Sequence, residues 1–311
     1  MNDPRVGYLG PEGSFSHEAV LSLGEVEPVA YVTIEDLLAA VTSGEIARAL
    51  VPMENALEGT VSAAIDGLVF DHDLIIVQEV VLPIHLHLLA RAGVRLEDVT
   101  VVRSFVHALA QVRQFLHDRS LRSEQSTSTS QAARDVAASP EPLAAVASTL
   151  AADMFHLEFL ARDIEDHPGN ATRFVLVGRD VVAAPTGHDR TSVVCFQDAD
   201  RPGSLFAILG RFAARDLNLT KLESRPTKRA LGDYCFVIEF EGHVDDDVVA
   251  DCLVDLQAHL ARVKFLGSYP VTGEGSHRRR REVDLARRSA IEWIDDLRSR
   301  VSMGEGGAPS I

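Results

Sequence analysis

Short apolar runs alternate with helical periodicity over the first ~180 residues, and this alternation limits the possible folds more than any single motif does. The runs typical of strands cover residues 6–9, 49–51, 74–89 with a break near Pro83, 100–104, 144–147 and 174–177. The helical patterns cover residues 15–23, 34–41, 61–70, 108–116, 130–137 and 148–155. Strands that alternate with helices predict an α/β domain, in which ligands bind beyond the carboxyl ends of the strands.

The pattern changes in the last third of the chain. Residues 182–189 are small, polar and interrupted by Pro and Gly, which predicts a linker. Strand and helix patterns then follow in the order βαββαβ, over residues 191–196, 203–214, 219–225, 234–240, 246–256 and 263–269. This order is typical of a ferredoxin-like domain. Residues 271–311 are predicted to be a basic, partly helical tail, with an arginine run at 278–281 and a helical pattern over 287–298.

The charge and the cysteines narrow the class of protein. A nucleic-acid binder would usually carry a basic face, so the formal net charge of −16 argues against a nucleic-acid partner. The cysteines Cys195, Cys235 and Cys252 form no CxxC pair and suit a reducing compartment. The amino terminus lacks the pattern of a signal peptide, and no apolar stretch approaches the length that spans a bilayer. We therefore expect a cytoplasmic protein with no membrane partner.

Three loops of the α/β domain share one design, because each opens a helical pattern with small or hydroxyl-bearing residues. They cover residues 10–16, 52–60 and 126–130. The unpaired N–H groups at a helix start can hold an anion, whereas Ser and Thr at these positions are also preferred helix caps. For one loop alone, capping is the stronger interpretation. Three such loops in one α/β domain favour a crevice for a small anionic ligand.

A further candidate is the run Asn170-Ala171-Thr172-Arg173-Phe174, which precedes a strand pattern. It places a hydroxyl, a fixed positive charge and an aromatic ring next to one another in the sequence. A Thr hydroxyl can donate a hydrogen bond to a departing oxygen, and an Arg fork can hold a carboxylate. The alternative is an ordinary turn before a strand.

Two histidines, His85 and His87, alternate along a strand pattern and would share a face. Imidazoles can bind a metal, but the nearby sequence supplies no clear third ligand, so a structural role is favoured. No metal or other cofactor is predicted.

Taken together, these segments resemble prephenate dehydratase with a C-terminal ACT regulatory domain, over residues 5–270. The matching segments are residues 8–16, 51–55, the loop that carries Ser128, 145–148, 170–174, 203–205 and 218–226. One departure is Ser104-Phe105-Val106-His107-Ala108-Leu109, where the family usually has Ser-His-Pro-Gln-Ala-Leu. This departure leaves the role of His107 open.

The resemblance implies a two-lobed catalytic domain, similar to periplasmic binding proteins, over residues 1–184, followed by a ferredoxin-like ACT domain over residues 191–270. The lobes would comprise residues 1–80 plus 170–182, and residues 81–169. The implied reaction converts prephenate to phenylpyruvate with loss of carbon dioxide and water. It needs no cofactor, because formation of the aromatic ring supplies the driving force.

The resemblance also implies residues of the active site. Thr172 would assist departure of the ring hydroxyl, Arg173 would hold a substrate carboxylate, and Glu54 would be a proton source or a structural cap. The residues expected to bind the substrate are Ser14, Asn55, Thr60, Ser128 and Phe174. Phe174 is expected to pack beneath the reacting groups.

For the ACT domain, the resemblance implies feedback by L-phenylalanine at a dimer interface, in a homodimer or homotetramer. The expected effector-binding residues are Gly203, Ser204, Leu205, Asn218, Leu219, Thr220, Glu223, Ser224, Arg225 and Pro226. Two alternatives stay open. One is an arogenate dehydratase, which acts on the aminated relative of prephenate, and the other is a non-catalytic amino-acid sensor, which would need Arg173 but not Thr172.

Overall fold

The structure is a computed structural model that describes residues 3–179, 181–197, 201–228, 232–272 and 292–300. Its strands are β1 (Arg5–Leu9), β2 (Glu27–Tyr31), β3 (Arg48–Asn55), β4 (Gly59–Thr60), β5 (Ile75–Pro83), β6 (His87–Ala90), β7 (Val101–Ser104), β8 (Ser123–Gln125), β9 (Leu143–Ala147), β10 (Glu158–Ala161), β11 (Ala171–Gly178), β12 (Asp189–Phe196), β13 (Leu219–Pro226), β14 (Tyr234–Glu241) and β15 (Arg262–Pro270). Its helices are α1 (Phe15–Leu21), α2 (Ile34–Ser43), α3 (Ser62–Asp66), α4 (Val106–Gln111), α5 (Arg113–Asp118), α6 (Thr129–Ala138), α7 (Thr149–Phe155), α8 (Ser204–Ala213) and α9 (Asp247–His259). A π-helical turn, Gly67–Asp71, follows α3, and a 3-10 turn covers Leu96–Asp98.

The first lobe is built on a sheet with the strand order β2-β1-β3-β11-β5, and β4 pairs with β3 as a short hairpin. Strands β1, β2 and β3 are parallel, whereas β11 runs antiparallel to both of its neighbours. The carboxyl ends of β1, β3 and β5 and the amino end of β11 therefore meet at one edge of the sheet. Helix α2 shows how the faces are covered, because Ile34, Leu37, Leu38 and Val41 recur at helical spacing and are buried against this sheet.

The second lobe is built on a sheet with the strand order β10-β6-β9-β7-β8. The chain enters this lobe after Pro83, at the end of β5, and returns with Ala171, at the start of β11. Strands β7, β8 and β9 are parallel to one another. The two lobes are thus joined by two neighbouring strands of the first sheet, which confirms the predicted two-lobed α/β architecture.

The C-terminal domain, residues 189–270, contains a four-stranded sheet with the order β13-β14-β12-β15. Its elements follow one another as β12, α8, β13, β14, α9 and β15, which confirms the predicted βαββαβ order. Phe212 of α8 and Leu256 of α9 are buried against Ile238 on one face of the sheet. The helices therefore cover one face and leave the other face for the first lobe.

The open face of the C-terminal sheet packs directly on the first lobe. Val194 and Leu266 belong to the same hydrophobic cluster as Val175 of β11. Strand β15 passes so close to β5 that a Cβ on Gly267 would lie 2.3 Å from the carbonyl oxygen of Ile76. Gly267 also has φ +145°, a conformation that favours glycine. The two domains therefore share a continuous core.

Several elements differ from the predictions. Strand β2 was missed, because it is an edge strand that contains Pro28 and lacks a continuous apolar run. Strands β8 and β10, the two edges of the second sheet, and strand β4 were also missed, because each has only two to four residues and none is fully buried. The single helix predicted over 108–116 is two helices that meet at Val112, where the backbone leaves the helical region.

The tail is described only in part. Residues 292–299 are helical and overlap the helix predicted over 287–298. The arginine run at 278–281 lies outside the described residues. Among the helices of the described ranges, none is long and apolar enough to cross a membrane.

Candidate active site

The loops at the facing edges of the two lobes contact each other across a cleft. Ser148 Oγ, at the start of α7, donates to the carbonyl oxygen of Gly13 at 3.3 Å, and Ser130 Oγ donates to the carbonyl oxygen of Glu12. Gly13 has φ +77°, and a Cβ there would lie 2.8 Å from Ser130 Oγ. A glycine at this position therefore allows the loop after β1 to meet the second lobe. Two of the loops that the sequence singled out, residues 10–16 and 126–130, therefore meet between the lobes.

Asn55 orients the Thr172 hydroxyl within the first lobe. Asn55 Nδ2 donates to Thr172 Oγ1 at 3.0 Å and to Asn170 Oδ1 at 3.0 Å. Asn55 Oδ1 accepts the backbone N–H groups of Leu57 and Glu58, at 3.0 and 3.1 Å. The amide is therefore held from both ends, and Thr172 Oγ1 receives a hydrogen bond that leaves its own O–H to be donated to a ligand.

A line of polar side chains continues from this pair into the second lobe. Asn170 Nδ2 donates to Gln111 Oε1 at 3.0 Å, and Gln111 Nε2 donates to Glu58 Oε1 at 3.4 Å. His107 Nδ1 lies 3.0 Å from Glu58 Oε2. From the sequence, Asn170 was noted as part of the run 170–174 but had no assigned role, and Gln111 was not among the candidate residues. The sequence feature that could have indicated Gln111 is that His107 and Gln111 are the two polar residues of α4.

The predicted substrate-binding serines Ser14 and Ser128 lie at the cleft as helix caps. Ser14 Oγ accepts the N–H of His17 at 3.2 Å, and Ser128 Oγ accepts the N–H of Gln131 at 2.9 Å. His17 stacks on Tyr8 with ring centroids 4.8 Å apart, and burial lowers the pKa of His17 below its ordinary value. This geometry fits both helix capping and anion binding, because a capped helix start still directs backbone N–H groups towards the cleft.

The run around Thr172 is not a turn before a strand, because β11 already begins at Ala171. Adjacent residues of a strand point to opposite faces, so Thr172 and Arg173 lie on different sides of the sheet. Phe174 returns to the side of Thr172 and is only 1% exposed, in the core beside Tyr8. The packing role expected for Phe174 fits this position, and the ring does not line the cleft.

Arg173 faces the C-terminal domain. Its Nη2 lies 2.8 Å from Glu239 Oε1, its Nη1 lies 3.3 Å from Glu79 Oε2, and Glu54 Oε2 is 3.6 Å away. Burial alone would lower the pKa of the guanidinium, but the charges of Glu239 and Glu79 outweigh burial and raise this pKa above its ordinary value. Arg190 completes the group, with its Nη1 2.5 Å from Glu79 Oε2. Thr172 and Arg173 are therefore adjacent in the sequence but face different sides of the sheet.

Glu54 and Thr60, which the sequence assigned to the active site, are also contacted by the C-terminal domain. Lys221 Nζ lies 3.0 Å from Glu54 Oε2 and 3.0 Å from Thr60 Oγ1. Thr60 Oγ1 donates to Glu223 Oε2 at 2.7 Å. Glu54 shares the face of Arg173, its register partner in β11, and Thr60 is the register partner of Glu54 in the β3–β4 hairpin.

The expected effector residues fall into two separate groups in one chain. Gly203 and Ser204 line a cavity of about 320 Å³ together with Arg201, Arg211 and His259. Residues 218–226 are absent from the lining of this cavity. They form β13, at the edge of the C-terminal sheet. Leu205 packs against the hydrophobic cluster between the helices and the sheet.

The histidines of the crossing segment have different environments. His87 is buried, accepts the N–H of Asp163 at 3.1 Å and lies 3.1 Å from Thr149 Oγ1. Burial lowers the pKa of His87. His85 is 59% exposed and has the carboxylates of Glu165 and Asp163 at 3.2 and 3.5 Å. The sequence showed no such partners for His85, because Glu165 lies 80 residues further along the chain.

Comparisons with known proteins identify the families that the chain matches. The chain matches the family model described as prephenate dehydratase over residues 6–181 and the model described as ACT domain over residues 191–257. It is similar to a prephenate dehydratase of Bacillus subtilis (strain 168), with 39% identity over 279 residues, which cover 85% of this chain and 98% of that protein.

Two solved structures extend the comparison. A prephenate dehydratase from Arthrobacter aurescens in complex with L-Phe is 34% identical, with a TM-score of 0.85, over 95% of this chain and 99% of the other. GqqA, described as a novel type of quorum quenching acylase, is 29% identical, with a TM-score of 0.79, over 86% of this chain and 98% of the other. The family model spans more than half of the sequence and the Bacillus protein matches most of it, so the chain belongs to the prephenate dehydratase family and carries a C-terminal ACT domain.

Proposed function

We propose that this hydro-lyase converts prephenate to phenylpyruvate in the cleft between its lobes, with Asn55 and Thr172 at the reacting centre. The observation that carries the proposal is the 3.0 Å hydrogen bond from Asn55 Nδ2 to Thr172 Oγ1, at the cleft ends of β3 and β11. This bond leaves the Thr172 proton to be donated to a ligand. A sensor that only bound an amino acid would have no need of a hydroxyl oriented in this way.

The reaction removes the ring hydroxyl and one carboxylate of prephenate. The bond between the ring and the carboxylate breaks, carbon dioxide leaves, and its electron pair enters the ring. The C–O bond then releases the hydroxyl, which takes up one proton and leaves as water. The pKa of an alcohol lies far above 7, so Thr172 is assigned as a hydrogen-bond donor rather than as a free acid. Its hydrogen bond strengthens as negative charge develops on the departing oxygen.

The carboxylates of prephenate are assigned to the loops that start α1 and α6, where Ser14 and Ser128 cap the helices. Backbone N–H groups at helix starts favour negative charge. The three carboxylates around Arg173 favour a role for this residue in holding the ACT domain over a role as the substrate clamp. Glu54 shares that face, so its contacts favour a structural role over that of proton source.

L-phenylalanine is the effector that we assign to the ACT domain, because the relative from Arthrobacter aurescens has been solved in complex with L-Phe. The cavity beside Gly203 and Ser204 has a volume of about 320 Å³, within the range of small-ligand sites. Residues 218–226 do not line it within one chain, so we place the effector between two subunits of a homodimer or homotetramer. Feedback inhibition is the expected result.

The assignment of domains and compartment rests on simpler observations. The position of the three sheets supports a catalytic domain over residues 1–184 and an ACT domain over residues 191–270. Cys195, Cys235 and Cys252 are free and buried, as expected for a cytoplasmic protein.

One assay tests the function. The full-length protein is incubated with prephenate, and phenylpyruvate is followed by its ultraviolet absorbance, with and without L-phenylalanine. We expect phenylpyruvate to form and L-phenylalanine to lower the rate. Arogenate is tested in parallel, and faster formation of phenylalanine from arogenate would identify an arogenate dehydratase. Absence of product from both substrates would contradict the proposal and favour a sensor.

A further inference from the structure

Strand β13 of the ACT domain has one side on the catalytic domain and the other side in solvent. Its residues alternate between partly buried and exposed along Leu219–Pro226. The partly buried side carries Lys221, Glu223 and Arg225. Arg225 Nη2 pairs with Asp66 Oδ1 of the first lobe at 2.5 Å. This side of the strand is therefore a charged contact with the catalytic domain.

Lys221 and Glu223 hold the β3–β4 hairpin, which spans residues 48–60. Lys221 Nζ donates to both Glu54 Oε2 and Thr60 Oγ1 at 3.0 Å, and Thr60 Oγ1 donates to Glu223 Oε2 at 2.7 Å. Glu54 and Thr60 are opposite each other in the hairpin, so the contact fixes both of its strands. The Lys221 side chain is only 11% exposed, so water and salt screen these bonds little.

The residue next to Glu54 in this hairpin is Asn55, which orients the Thr172 hydroxyl. A displacement of the hairpin therefore displaces the group that sets the direction of the Thr172 proton. We propose that Lys221 and Glu223 are positioning residues of the active site, which fix the β3–β4 hairpin and, with it, Asn55. Their hydrogen bonds to the hairpin go to Glu54 and Thr60, not to Asn55 or Thr172.

The inference rests on the proposed function and extends its regulation. The solvent side of β13 carries Thr220, Ser224 and Pro226, which are among the expected effector residues, and also Leu222, which is 44% exposed. Glu223 and Arg225, which are also expected effector residues, lie on the side that faces the catalytic domain, so the expected effector segment and the hairpin contact share one strand. An effector that displaces β13 withdraws Lys221 and Glu223 from the hairpin, and Asn55 then loses its position.

A thermodynamic consequence follows from this arrangement. The proposal places the contact between β13 and the hairpin in the active state, so that L-phenylalanine breaks it when it inhibits. Removing the contact lowers activity and, by linkage, makes L-phenylalanine bind more tightly. Damage to the fold would instead lower both activity and affinity, so the opposite signs distinguish coupling from damage.

The experiment compares Lys221→Met with Lys221→Arg in the full-length protein. Lys221→Met removes the charge and keeps the length of the side chain, whereas Lys221→Arg keeps the charge. Arg95→Met is the control, because Arg95 forms an exposed ion pair with Asp98 in the second lobe. Dehydratase kinetics, L-phenylalanine affinity by calorimetry and the melting temperature are measured for each protein.

For Lys221→Met we expect kcat to fall about 10-fold or more, since a misplacement of 1 Å can cost about 10²-fold. We expect the Kd for L-phenylalanine to fall at least about 5-fold, the lower end of usual allosteric couplings. Lys221→Arg should recover most of kcat, and Arg95→Met should leave both quantities unchanged.

Two outcomes would overturn the inference. An unchanged kcat in Lys221→Met would remove the positioning role, and a weaker affinity for L-phenylalanine together with a lower kcat would indicate a purely structural role. Failure of the proposed function gives a different result, because the wild-type protein would then form no phenylpyruvate. The comparison of L-phenylalanine affinities would still test the link through β13.

Discussion

Replacement of Glu239 by Gln is expected to destabilise the whole chain, because this carboxylate belongs to a buried group of four charges between the domains. Arg173 and Glu79 come from the catalytic domain, and Arg190 and Glu239 come from the ACT domain. The side chains of Glu79 and Glu239 are 2% and 4% exposed, and Arg173 is 11% exposed. Glu239→Gln leaves two guanidinium groups to share Glu79, with Glu54 at 3.6 Å from Arg173 as a weaker neighbour. Removal of one partner from a buried pair costs about 3–5 kcal/mol.

For a protein of this size, such a loss lowers the melting temperature by about 6–20 °C, at about 2–4 °C per kcal/mol. Thermal unfolding followed by circular dichroism measures the shift, and Asp98→Asn, in the exposed pair with Arg95, should leave the melting temperature unchanged. A double-mutant cycle with Arg173→Met adds a sharper test, since partners in one ion pair give costs that do not add. Additive costs, or a loss below about 0.5 kcal/mol in Glu239→Gln, would refute the argument. A raised KM for prephenate in Arg173→Lys with unchanged stability would restore Arg173 as the substrate clamp.

Three further changes test other parts of the structure. Thr172→Val is expected to lower kcat about 10²–10³-fold with little change in prephenate binding, and Thr172→Ser should recover most of it, because only the hydroxyl is required; single-turnover kinetics measures both. Gly267→Ala should lower the free energy of unfolding, measured with urea, by more than about 1 kcal/mol, because φ is +145° and the added Cβ would meet the Ile76 carbonyl oxygen. The control Gly210→Ala lies in a helix with open space around it and should raise that free energy by about 0.5–1 kcal/mol. Burial lowers the pKa of His87 from its ordinary 6.5, so the unfolded chain binds the proton more strongly than the folded chain does. The contribution of neutral His87 to the free energy of unfolding is therefore complete above pH 6.5 and is lost as the pH falls below that value. The fall of the melting temperature between about pH 7.5 and 5.5 should therefore be smaller in His87→Gln, and an equal fall would contradict this assignment.

Much of the architecture could be predicted because it follows from local patterns. The βαββαβ order of the C-terminal domain and the break of the long apolar segment near Pro83 are both visible as periodicity and punctuation in the sequence. The position of Arg173 could not be predicted in the same way. Its partner Glu239 lies 66 residues away, and nothing in the local sequence indicates which face of β11 the second domain covers. The same limit applies to Lys221, whose partner Glu54 is 167 residues distant.

The alternation of two paired strands gives a physical reason why a change in the ACT domain can reach the chemistry. In β3, Asn55 faces the cleft and Glu54 faces the ACT domain. In β11, Thr172 faces the cleft and Arg173 faces the ACT domain. These residues are also register partners, so the hydroxyl and its orienting amide are each one peptide, roughly 3.3 Å, from a charge held by the ACT domain. A strand is stiff over such a length, so a shift of the ACT sheet that moves the charges also moves the groups on the other face. An effect of ACT substitutions on kcat therefore requires only these two strands and no longer chain of contacts through the molecule.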